Sequence, residues 1–588
     1  MSLHPPFVLL DDARGSGAGA RLYTRPIRVV TAHTLAEVRP ALAALRAAAA
    51  EGLHAAGWLA YEAGAALVDR TSAAETAEPL LWFGLFDGYQ SLAADEVPAL
   101  LPDPAGAWAA APQPVISRDS YGERLARAQA LIEAGDIYQA NLTFQAAVPF
   151  AGHPHALYAR LRRAAAAGYG ALIDTGERQL LSLSPELFVE LKGGALTCRP
   201  MKGTARRGSD AASDVALAEA LAGDPKQRAE NLMIVDLMRN DLSRVAAPGS
   251  VAVPALFTVE TFPTIHQMTS TVTARLAPER DGVDVLEALF PCGSITGAPK
   301  QRAMQVIADC EEGPRGAYTG AIGRLDAHGD AQFNVAIRTL TIRDDQATMG
   351  LGSGIVADSR EDGEWAESLA KGAFVAAGGR RVDLIETMAF DPDDGIALLD
   401  RHLARLTASA VRLGFRFDRH AARNELQAAT FRLRQPMRVR LLLAAGGAMA
   451  VEVAPVPPSP SAPVEVAVVP LPVDPSDFRL RHKTSDRRFY DKARNDAGCF
   501  EVVFQDGERC LTEGSFTSLF VPRGDVLVTP PLSRGLLPGV LRAELIGTGR
   551  AVEGDLTRDD LAGGFFVGNA LRGLIPAVVA VAKEAAPR

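Results

Sequence analysis

The sequence predicts an α+β protein of two domains, and three observations support this prediction. The 588 residues exceed what one hydrophobic core usually organises. Strand-like and helical stretches alternate, but without the regular strand, helix and strand rhythm of a doubly wound sheet. The motifs also change character near AAGGRR, residues 376–381, which places the domains at 1–378 and 379–588.

Composition and charge exclude several classes of protein. Hydrophobic residues make up 48% and charged residues 22% of the chain, as in soluble globular proteins. The net charge of −9 argues against nucleic-acid binding. The N-terminal residues lack a secretory pattern and no apolar run approaches membrane-spanning length, so we expect a cytoplasmic protein that does not bind membranes. The five cysteines lack CxxC spacing and predict neither a disulfide framework nor a zinc site.

Helical and strand-like stretches follow each other in the first domain. The segment ALAALRAAAAEGLHAAGWLAYEAGAAL predicts an alanine-rich helix that leads into a strand. The segment QRAENLMIVDLMRNDLSRV predicts a helix with Glu230 near its start. The apolar positions with helical spacing there are Leu232, Val235, Leu237, Met238 and Leu242. Further on, QFNVAIRTLTI alternates like one strand and carries Arg338, either a solvated edge-strand arginine or a bidentate carboxylate ligand.

Glycines and carboxylates are concentrated in two neighbouring segments. The segment MGLGSGIVADS has glycines at alternate positions, Gly350, Gly352 and Gly354. In a glycine-rich turn beside a strand-like IVA, bare backbone N–H groups offer a cradle for a carboxylate, and the alternative is that a β-bulge or tight turn alone explains the pattern. In EDGEWAESLAKG, Glu364, Glu367 and Lys371 share one helix face. A surface ion pair between Glu367 and Lys371 explains this spacing, and the alternative is that carboxylates from two helices hold a hard cation such as Mg²⁺.

The segment CRPMKGTARRG, residues 198–208, surrounds Lys202 with arginines. Neighbouring cations destabilise an ammonium group, and lysines in such settings act as nucleophiles in some covalent enzymes. A solvated surface charge explains the same residues. From this segment alone, both interpretations of Lys202 stay open.

Taken together, the motifs of the first domain resemble one family in their order and content. They are GDIYQANLTFQ, SLSPELFVEL, RPMKGTARRG, AENLMIVDLMRNDLSRV, HQMTSTV, GSITGAPK, GAYTGAIG, NVAIRTL and GSGIVADS followed by EWAESLAKG. This set resembles the chorismate-utilising enzymes, and most closely aminodeoxychorismate synthase component I, over about residues 5–375. The resemblance implies a chorismate-binding-enzyme fold, which is a β-sandwich with helices.

This resemblance gives Lys202 an expected role. In the amino-transferring branch of the family, anthranilate formers have alanine in P-x-A-G-T, whereas aminodeoxychorismate formers have lysine in P-x-K-G-T. This chain has the lysine. The amine of Lys202 is expected to add to the chorismate ring and expel the 4-hydroxyl. Ammonia then displaces the lysine and leaves an amino group para to the ring carboxylate.

Other expected roles follow from positions in the matched motifs. Glu186 is expected to be the general acid or base, although a glutamate at a helix start explains it as well. His266 and Thr296 are expected at the departing hydroxyl, although an interior histidine and a capping hydroxyl are the simpler interpretations. The expected ligands of the enolpyruvyl carboxylate are Tyr318 and Arg338, and those of the ring carboxylate are Gly352, Gly354 and Lys371. The expected Mg²⁺ ligands are Glu230, Glu364 and Glu367.

The implied amination of chorismate needs a source of ammonia. None of the five cysteines lies in the Gly-x-Cys-x-Gly context of a class I glutamine amidotransferase. We therefore expect a separate glutamine amidotransferase subunit to supply ammonia, or free ammonia to serve.

Beyond Arg381 the sequence resembles a second family. DLIETMAFDPDDGIALLDRHLARLTASAVRLGFRF predicts a hairpin followed by a helix. The motifs FRLRHKTSDRRFYDKARN, CLTEGSFTSLFV, TPPLSRGLLPGVLR and FFVGNALRGLIPA follow. Together they resemble the fold-type IV pyridoxal-phosphate enzymes, and most closely 4-amino-4-deoxychorismate lyase, over about residues 381–585. The resemblance implies two α/β lobes, with the proline-rich residues 454–463 between them, and a homodimer through this domain is a further expectation.

Pyridoxal phosphate needs a lysine for its Schiff base, an acid at its pyridine nitrogen and donors for its phosphate. By position in the motifs, Lys483 is the expected Schiff-base lysine and proton shuttle, and Glu513 is the expected acid. The expected phosphate contacts are Arg405, the backbone around Val540 and Leu541, and Asn569.

The two resemblances predict an enzyme with two consecutive activities in folate synthesis. Chorismate and ammonia are expected to give 4-amino-4-deoxychorismate, which the second domain splits into 4-aminobenzoate and pyruvate. One alternative is an anthranilate or isochorismate synthase-like domain joined to a branched-chain or D-amino-acid aminotransferase. Another is a non-catalytic scaffold that binds an amidotransferase.

Overall fold

The computed structural model describes residues 3–14, 17–74, 76–262, 265–460 and 463–580. The chain divides into two compact units. The first unit comprises Met1–Leu101, Ala111–Val148 and Tyr158–Gly378. The second comprises Pro102–Ala110, Pro149–Leu157 and Gly379–Arg588. The division near residue 378 therefore has two exceptions, because two short segments of the predicted first domain cluster with the second unit.

Strands and helices before residue 379 are as follows. The strands are β1 (Phe7–Asp12), β2 (Gly19–Thr24), β3 (Arg28–Ala32), β4 (His54–Leu59), β5 (Leu81–Phe86), β6 (Gln90–Leu92), β7 (Trp108–Ala109), β8 (Gln113–Pro114), β9 (Gln139–Val148), β10 (Phe150–Ala151), β11 (Tyr169–Asp174), β12 (Gln179–Ser184), β13 (Leu187–Lys192), β14 (Ala195–Arg199), β15 (Met201–Arg206), β16 (Ala252–Thr261), β17 (Ile265–Arg275), β18 (Gly297–Ala298), β19 (Ala321–Leu325), β20 (Ala331–Val335), β21 (Thr339–Arg343) and β22 (Gln346–Ile355). The helices are α1 (Leu35–Ala50), α2 (Arg118–Glu133), α3 (Pro154–Ala165), α4 (Ala211–Gly223), α5 (Pro225–Ser243), α6 (Gly282–Leu289), α7 (Lys300–Cys310) and α8 (Glu361–Gly372).

The remaining elements lie after residue 378. The strands are β23 (Leu384–Asp391), β24 (Gly395–Ile396), β25 (Met437–Leu443), β26 (Met449–Pro455), β27 (Val464–Pro470), β28 (Glu501–Gln505), β29 (Leu511–Gly514), β30 (Ser518–Arg523), β31 (Val526–Thr529), β32 (Ala551–Glu553), β33 (Phe565–Asn569) and β34 (Gly573–Val579). The helices are α9 (Leu399–Leu413), α10 (Arg419–Thr430), α11 (Phe478–Arg481), α12 (Arg488–Ala497) and α13 (Val540–Gly547).

The first unit is built from two large antiparallel sheets. One has the order β18-β9-β22-β21-β12-β11-β1-β2-β6, with β8 on β9, and the other has the order β15-β17-β14-β13-β20-β19-β4-β5-β3, with β16 on β17. An apolar cluster contains Val8 and Ile173 from the first sheet and Trp58 and Ile322 from the second. The cluster lies between the sheets, so the predicted β-sandwich with helices is confirmed.

The predicted helices of the first unit form, but one apolar face differs from the prediction. The alanine-rich helix α1 and the strand β4 that follows it are confirmed. Helix α5 begins after Asp224, whose side chain accepts hydrogen bonds from two first-turn N–H groups. It buries Ile234, Val235 and Met238, whereas Leu232 is 42% exposed. The buried face includes Ile234, which the predicted spacing omitted. Packing against the neighbouring strands determines which face of the helix is buried.

The predicted single strand QFNVAIRTLTI is wrong. The structure divides it into β20 and β21, which belong to different sheets. Arg338 lies at the crossing between them, in the left-handed backbone region at φ 51°. An alternating pattern continues through such a crossing, because each half of the segment alternates on its own sheet.

The prediction that Gly350, Gly352 and Gly354 form a turn is also wrong. They lie inside β22, where they pair with Gln145, Thr143 and Asn141 of β9. The ladder between β22 and β21 reaches only Met349. The three glycines are therefore alternate positions on one face of an extended strand, and this face is bare of side chains.

The second unit has two lobes, as predicted. A four-stranded sheet of order β24-β23-β25-β26 forms one lobe, and an eight-stranded sheet of order β29-β28-β27-β34-β33-β30-β31-β32 forms the other. The predicted hairpin and helix are β23, β24 and α9. The proline-rich residues 454–463 connect β26 to β27, and Ser461 and Ala462 lie outside the described residues.

The two short segments that cluster with the second unit carry β7 and β10, which pair with each other. Trp108 of β7 packs its ring against Phe415 and Phe478, with ring centroids 5.6 and 6.0 Å away. Its indole N–H donates to the Leu413 carbonyl oxygen over 2.8 Å. A buried aromatic ring thus fixes this segment in the second unit, which no local motif predicted. None of the described helices has the length and apolar character that a membrane span requires.

Candidate active sites

The bare face of β22 supports two of the predicted site residues. A Cβ atom on Gly350 would overlap the ring of Tyr318. A Cβ atom on Gly354 would stand 2.9 Å from Nζ of Lys202 and 2.6 Å from Nε2 of Gln139. Tyr318 and Lys202 therefore lie on the same face of β22, at the two ends of the glycine row.

Charged side chains surround the amine of Lys202. Burial lowers its pKa from the ordinary 10.5, and the Lys371 ammonium lowers the pKa further. The carboxylates of Glu230, Glu186 and Glu367 act in the opposite direction. The structure thus brings together five of the predicted residues, and burial is the main cause of the lowered pKa of the Lys202 amine.

Glu186 is a buried carboxyl group beside this lysine. It is 4% exposed, and Ser294 donates a hydrogen bond to its Oε1 atom over 2.8 Å. Burial raises the pKa of Glu186 to about 7, against the effect of the Ser294 hydroxyl and the Lys202 ammonium. A carboxyl group with this pKa exchanges a proton near neutral pH, as the predicted acid or base role requires. Ser294 was not predicted, because nothing in GSITGAPK distinguishes it from a turn serine.

Lys371 joins helix α8 to the glycine strand. Its ammonium donates to the Gly352 carbonyl oxygen over 2.9 Å and forms an ion pair with Glu367 over 2.8 Å. Burial opposes ionisation of Glu367, but the Lys371 ammonium lowers the pKa of that carboxyl below its usual 4.5. The predicted helical spacing of Glu367 and Lys371 therefore forms an ion pair that also reaches the site.

The predicted Mg²⁺ ligands are not assembled as a complete set. Among the described residues, no group of three or more His, Cys, Asp or Glu side chains is arranged to hold a metal ion. Ser359 donates to Glu364 over 2.7 Å, and Glu367 is engaged by Lys371. Burial raises the pKa of Glu230, the Lys202 and Lys226 ammonium groups oppose this effect, and the carboxylates of Asp358 and Glu364 add to it. Glu230 and Glu364 are hard oxygen donors of the type that Mg²⁺ prefers.

Arg338 is a partly buried guanidinium without a counter-charge. Among the described residues, none forms a hydrogen bond or ion pair with its side chain, and desolvation lowers its pKa. Its carbonyl oxygen accepts from the Leu183 N–H group over 3.0 Å, which holds the unusual backbone in place. A guanidinium of this kind is suited to a carboxylate ligand.

Thr296 lies close to the glycine strand, whereas His266 is buried between two polar side chains. The Thr296 carbonyl oxygen accepts from the Asn141 N–H group over 2.9 Å, and Asn141 pairs with Gly354, so Thr296 lies near the glycine strand. His266 is 2% exposed, and its ring nitrogens contact Asp214 over 2.9 Å and Thr261 over 3.0 Å. Both nitrogens of His266 are thus occupied, as expected for an interior histidine.

Arg315 holds together three segments that carry predicted site residues. This role was not predicted from the sequence. Its guanidinium donates to the carbonyl oxygens of Asn141 over 2.6 Å and Ile295 over 3.1 Å, and pairs with Glu311 over 2.7 Å. Glu62 accepts from the Arg315 N–H group over 2.6 Å. These bonds connect β9, the loop of Thr296 and the loop of Tyr318. The four-residue spacing of Glu311 and Arg315 was the one local signal for this network.

The second unit contains a cavity of about 270 Å³ that all the residues predicted for pyridoxal phosphate line. They are Arg405, Lys483, Glu513, Val540, Leu541 and Asn569. Burial lowers the pKa of Lys483 from 10.5 to about 7, and the guanidinium groups of Arg487 and Arg405 add to this effect. The Lys483 amine is therefore partly neutral near pH 7, as a Schiff-base lysine requires.

Glu513 lines the same cavity as Lys483 and is held by two hydrogen bonds. The Tyr490 hydroxyl donates to its Oε1 atom over 2.6 Å, and the Leu537 N–H group donates to Oε2 over 3.0 Å. Burial raises the pKa of Glu513 to about 7, against the effect of the Tyr490 hydrogen bond. This carboxyl group is oriented and able to exchange a proton, which suits an acid at a pyridine nitrogen.

Arg405 is fixed by a buried carboxylate. Its Nε and Nη2 atoms donate to Glu386 over 2.8 and 2.6 Å, and Nη1 donates to the Pro538 carbonyl oxygen over 3.1 Å. Burial opposes ionisation of Glu386, but the Arg405 guanidinium and the His402 hydrogen bond lower its pKa to about 2. Arg405 keeps two N–H groups for a ligand, because three of its five are used.

Backbone donors complete the phosphate side of the cavity. Helix α13 begins at Val540 after Gly539, so the N–H groups of Val540 and Leu541 have no partner within the helix. Asn569 donates to the Phe516 carbonyl oxygen over 3.1 Å, and its side-chain oxygen accepts from the Arg572 N–H group over 3.0 Å. The donor set of this cavity fits pyridoxal phosphate.

Fold and sites together define a chain of two fused catalytic folds, one suited to a small anion beside a lysine and one to pyridoxal phosphate. Comparison with known families agrees with this class. Residues 6–377 match the model of the chorismate binding enzymes, and residues 383–579 match the model of the class IV aminotransferases. The chain belongs to the chorismate binding enzyme family and carries a class IV aminotransferase domain after it, which confirms both resemblances.

Individual relatives match part of the first unit. Aminodeoxychorismate synthase component 1 of Klebsiella aerogenes is 47% identical over 256 residues, which are 44% of this chain and 57% of that protein. Anthranilate synthase component 1 of Streptomyces coelicolor is 40% identical over 269 residues, which are 46% of this chain and 53% of that protein. The chain thus spans little more than half the length of these relatives.

One solved structure supports the fold of the first unit. The crystal structure of anthranilate synthase component I from Streptococcus pneumoniae superposes with a TM-score of 0.53 at 26% identity. The match covers 64% of this chain and 93% of that one.

Gly350→Ala should destabilise the first unit, because the added methyl group overlaps the Tyr318 ring. Overpacking of this kind costs about 1–3 kcal/mol of the free energy of unfolding, measured by urea denaturation. Gly363→Ala on helix α8 is the matched control, since nothing lies within 4 Å of its added Cβ atom. Equal stability of the two variants would contradict the packing of Tyr318 on β22.

The low pKa of Lys483 predicts an unusual pH profile for its chemical modification. Below about pH 7 the amine is protonated and unreactive, and above it the neutral amine should react with an amine-selective reagent. Labelling of the cofactor-free chain, followed by peptide mass spectrometry, should be half-maximal near pH 7. An unstructured lysine peptide, with a pKa of about 10.4, is the reference. A Lys483 midpoint close to that of the peptide would disprove the assigned environment.

Proposed function

We propose that this chain makes 4-aminobenzoate from chorismate in two steps, one in each unit. The observation that carries the proposal is the setting of Lys202, whose amine stands against Gly354 among Lys371, Glu230 and Glu186. The match to a chorismate-binding domain followed by a class IV aminotransferase domain supports the combination of activities. The second unit is suited to consume what the first produces.

In the first unit, chorismate is held by its two carboxylates. Arg338, a partly buried cation without a partner among the described residues, binds the enolpyruvyl carboxylate with the hydroxyl group of Tyr318. Lys371 and the bare backbone of Gly352 and Gly354 receive the ring carboxylate. This arrangement lays the ring along the glycine face of β22, next to the Lys202 amine.

Chemistry begins when the neutral Lys202 amine attacks the ring and the 4-hydroxyl leaves. Glu186, with its pKa near 7, protonates the departing hydroxyl so that it leaves as water. Ammonia then forms the new C–N bond while the bond to Lys202 breaks, which returns the lysine. The ammonia comes from a separate glutamine amidotransferase subunit.

Anthranilate formation is the alternative for the first unit, because anthranilate synthase component 1 is among the similar proteins. A lysine at position 202, where the anthranilate formers have alanine, favours the aminodeoxychorismate product. Identification of the aromatic product made from chorismate, ammonia and Mg²⁺ separates the two reactions.

In the second unit, the described donors fit pyridoxal phosphate. Arg405 and the N–H groups of Val540 and Leu541 would hold the phosphate, and Asn569 lines the same cavity. When bound, pyridoxal phosphate would supply an electron sink for the elimination of pyruvate. Glu513, oriented by Tyr490, would be the acid for the pyridine nitrogen. Lys483, with a pKa near 7, accepts and returns the proton that the elimination moves.

Substitution of either lysine should abolish the reaction of its own unit and leave the reaction of the other unit intact. Lys202→Ala should reduce formation of 4-aminobenzoate from chorismate by at least about 1000-fold, because the nucleophile is lost. The same variant should still convert supplied aminodeoxychorismate, measured as pyruvate release. Lys483→Ala should show the reverse: it consumes chorismate and accumulates aminodeoxychorismate. Full synthase activity of Lys202→Ala would refute the covalent mechanism, and chorismate consumption lost in a folded Lys483→Ala would refute independent units.

Glu230, Glu364 and Glu367 are the residues that would hold Mg²⁺, which when bound would supply positive charge for an oxygen-rich substrate. Glu230→Gln keeps the size of the side chain but removes a charged ligand, so the Mg²⁺ concentration for half activity should rise at least roughly 10-fold. Glu361→Gln is the control, because this exposed carboxylate on α8 pairs with Arg118. Unchanged Mg²⁺ dependence in Glu230→Gln would remove Glu230 from the ligand set.

A further inference from the structure

The cavity of the second unit is lined by many more basic than acidic side chains. The basic ones are Arg405, Arg438, Lys483, Arg487, Arg494 and Arg572. Among the described lining residues, Glu513 is the one carboxyl group. A single phosphate group cannot balance this excess, and an unbalanced cluster of cations is costly to bury. The cavity is therefore suited to a ligand that brings further negative charge.

Most of these arginines already have partners within the unit. The pairs are Arg405 with Glu386, Arg487 with the Ser515 carbonyl oxygen, Arg494 with Asp491, and Arg572 with the Pro458 carbonyl oxygen. Such bonds fix the direction of each guanidinium group, and the carboxylates of Glu386 and Asp491 also offset the charges of Arg405 and Arg494.

Arg438 differs from the others. Among the residues that the structure describes, none forms a hydrogen bond, an ion pair or a ring contact with its side chain, although it lines the cavity. Its neighbours across the sheet are Ala389 on β23 and Ala454 on β26. Two alanines leave open space on either side of the guanidinium group, where a ligand has room to enter.

The register of β25 directs Arg438 toward the cavity. Val439 and Leu441 on this strand belong to the apolar core beneath the sheet. Alternate residues point to opposite faces, so Arg438 lies on the other face. Thr387 of β23, which pairs with Arg440 on the same face of the sheet, also lines the cavity.

We propose that Arg438 is a specificity-determining residue that binds a second carboxylate of the substrate. Arg438 thereby favours aminodeoxychorismate, which has two carboxylates, over amino acids with one. The inference rests on the proposed lyase function and assigns this selectivity to one residue. It also separates this unit from a monocarboxylate aminotransferase, because such an enzyme has no second carboxylate for Arg438.

Binding of a non-reactive probe tests this site without turnover. Isophthalate has two carboxylates and no amino group, and benzoate has one carboxylate. Titration of the cofactor-loaded chain, followed by the visible absorbance of the cofactor and by calorimetry, gives both affinities. The parent should bind isophthalate more tightly than benzoate, and Arg438→Gln should lose roughly 10- to 100-fold of the isophthalate affinity. Arg438→Lys should recover part of it.

Arg440→Gln is the matched control. Arg440 is on the same strand and face, two residues from Arg438, and is not among the residues that line the cavity. This variant should bind isophthalate like the parent. Unchanged cofactor absorbance in both glutamine variants shows that the fold and the cofactor site persist.

Two results would overturn the inference: isophthalate affinity of Arg438→Gln equal to that of the parent, or equal losses in the two glutamine variants. Failure of the proposed lyase function looks different. In that case the parent binds isophthalate through Arg438 but releases no pyruvate from aminodeoxychorismate, and the dicarboxylate site stands.

Discussion

The first site depends on the absence of side chains along one face of β22. Any Cβ atom on Gly350 would displace the Tyr318 ring, and one on Gly354 would press on the Lys202 amine. Because these glycines lie in a paired strand, the face is rigid as well as bare. Tyr318, Lys202 and Lys371 therefore converge on a surface of backbone, where a flat anionic ring has room to lie. Arg315 keeps the segments of this site together through buried hydrogen bonds to the backbone.

Both units contain a lysine with a lowered pKa near a buried carboxyl group with a raised pKa. Burial and neighbouring cations lower the pKa of Lys202 and of Lys483, while nearby carboxylates limit the shift. Each lysine also faces a buried carboxyl group with a raised pKa, Glu186 in one unit and Glu513 in the other. A neutral amine beside a protonatable acid provides nucleophilic attack and proton transfer near neutral pH. The two sites reach this arrangement on unrelated folds, so it follows from the chemistry rather than from the architecture.

Much of this was predictable from sequence, because the order of many short motifs is more specific than any one of them. The motifs gave the two folds and the residues that line the cavity of Lys483. What they missed depends on contacts between distant segments. The crossing at Arg338 joins strands of two sheets, and the burial of helix α5 depends on strands far away in the chain. The segment of Trp108 joins the second unit through an aromatic contact that leaves no local pattern.

The covalent role of Lys202 is the central claim, and peptide mass spectrometry tests it most directly. The chain is incubated with chorismate and Mg²⁺ in the absence of ammonia, quenched in acid and digested. An adduct with the mass of chorismate minus water should appear on the peptide that contains Lys202, and added ammonia should discharge it before the quench. Absence of the adduct while the chain still aminates chorismate, or its appearance on another lysine, would contradict the account.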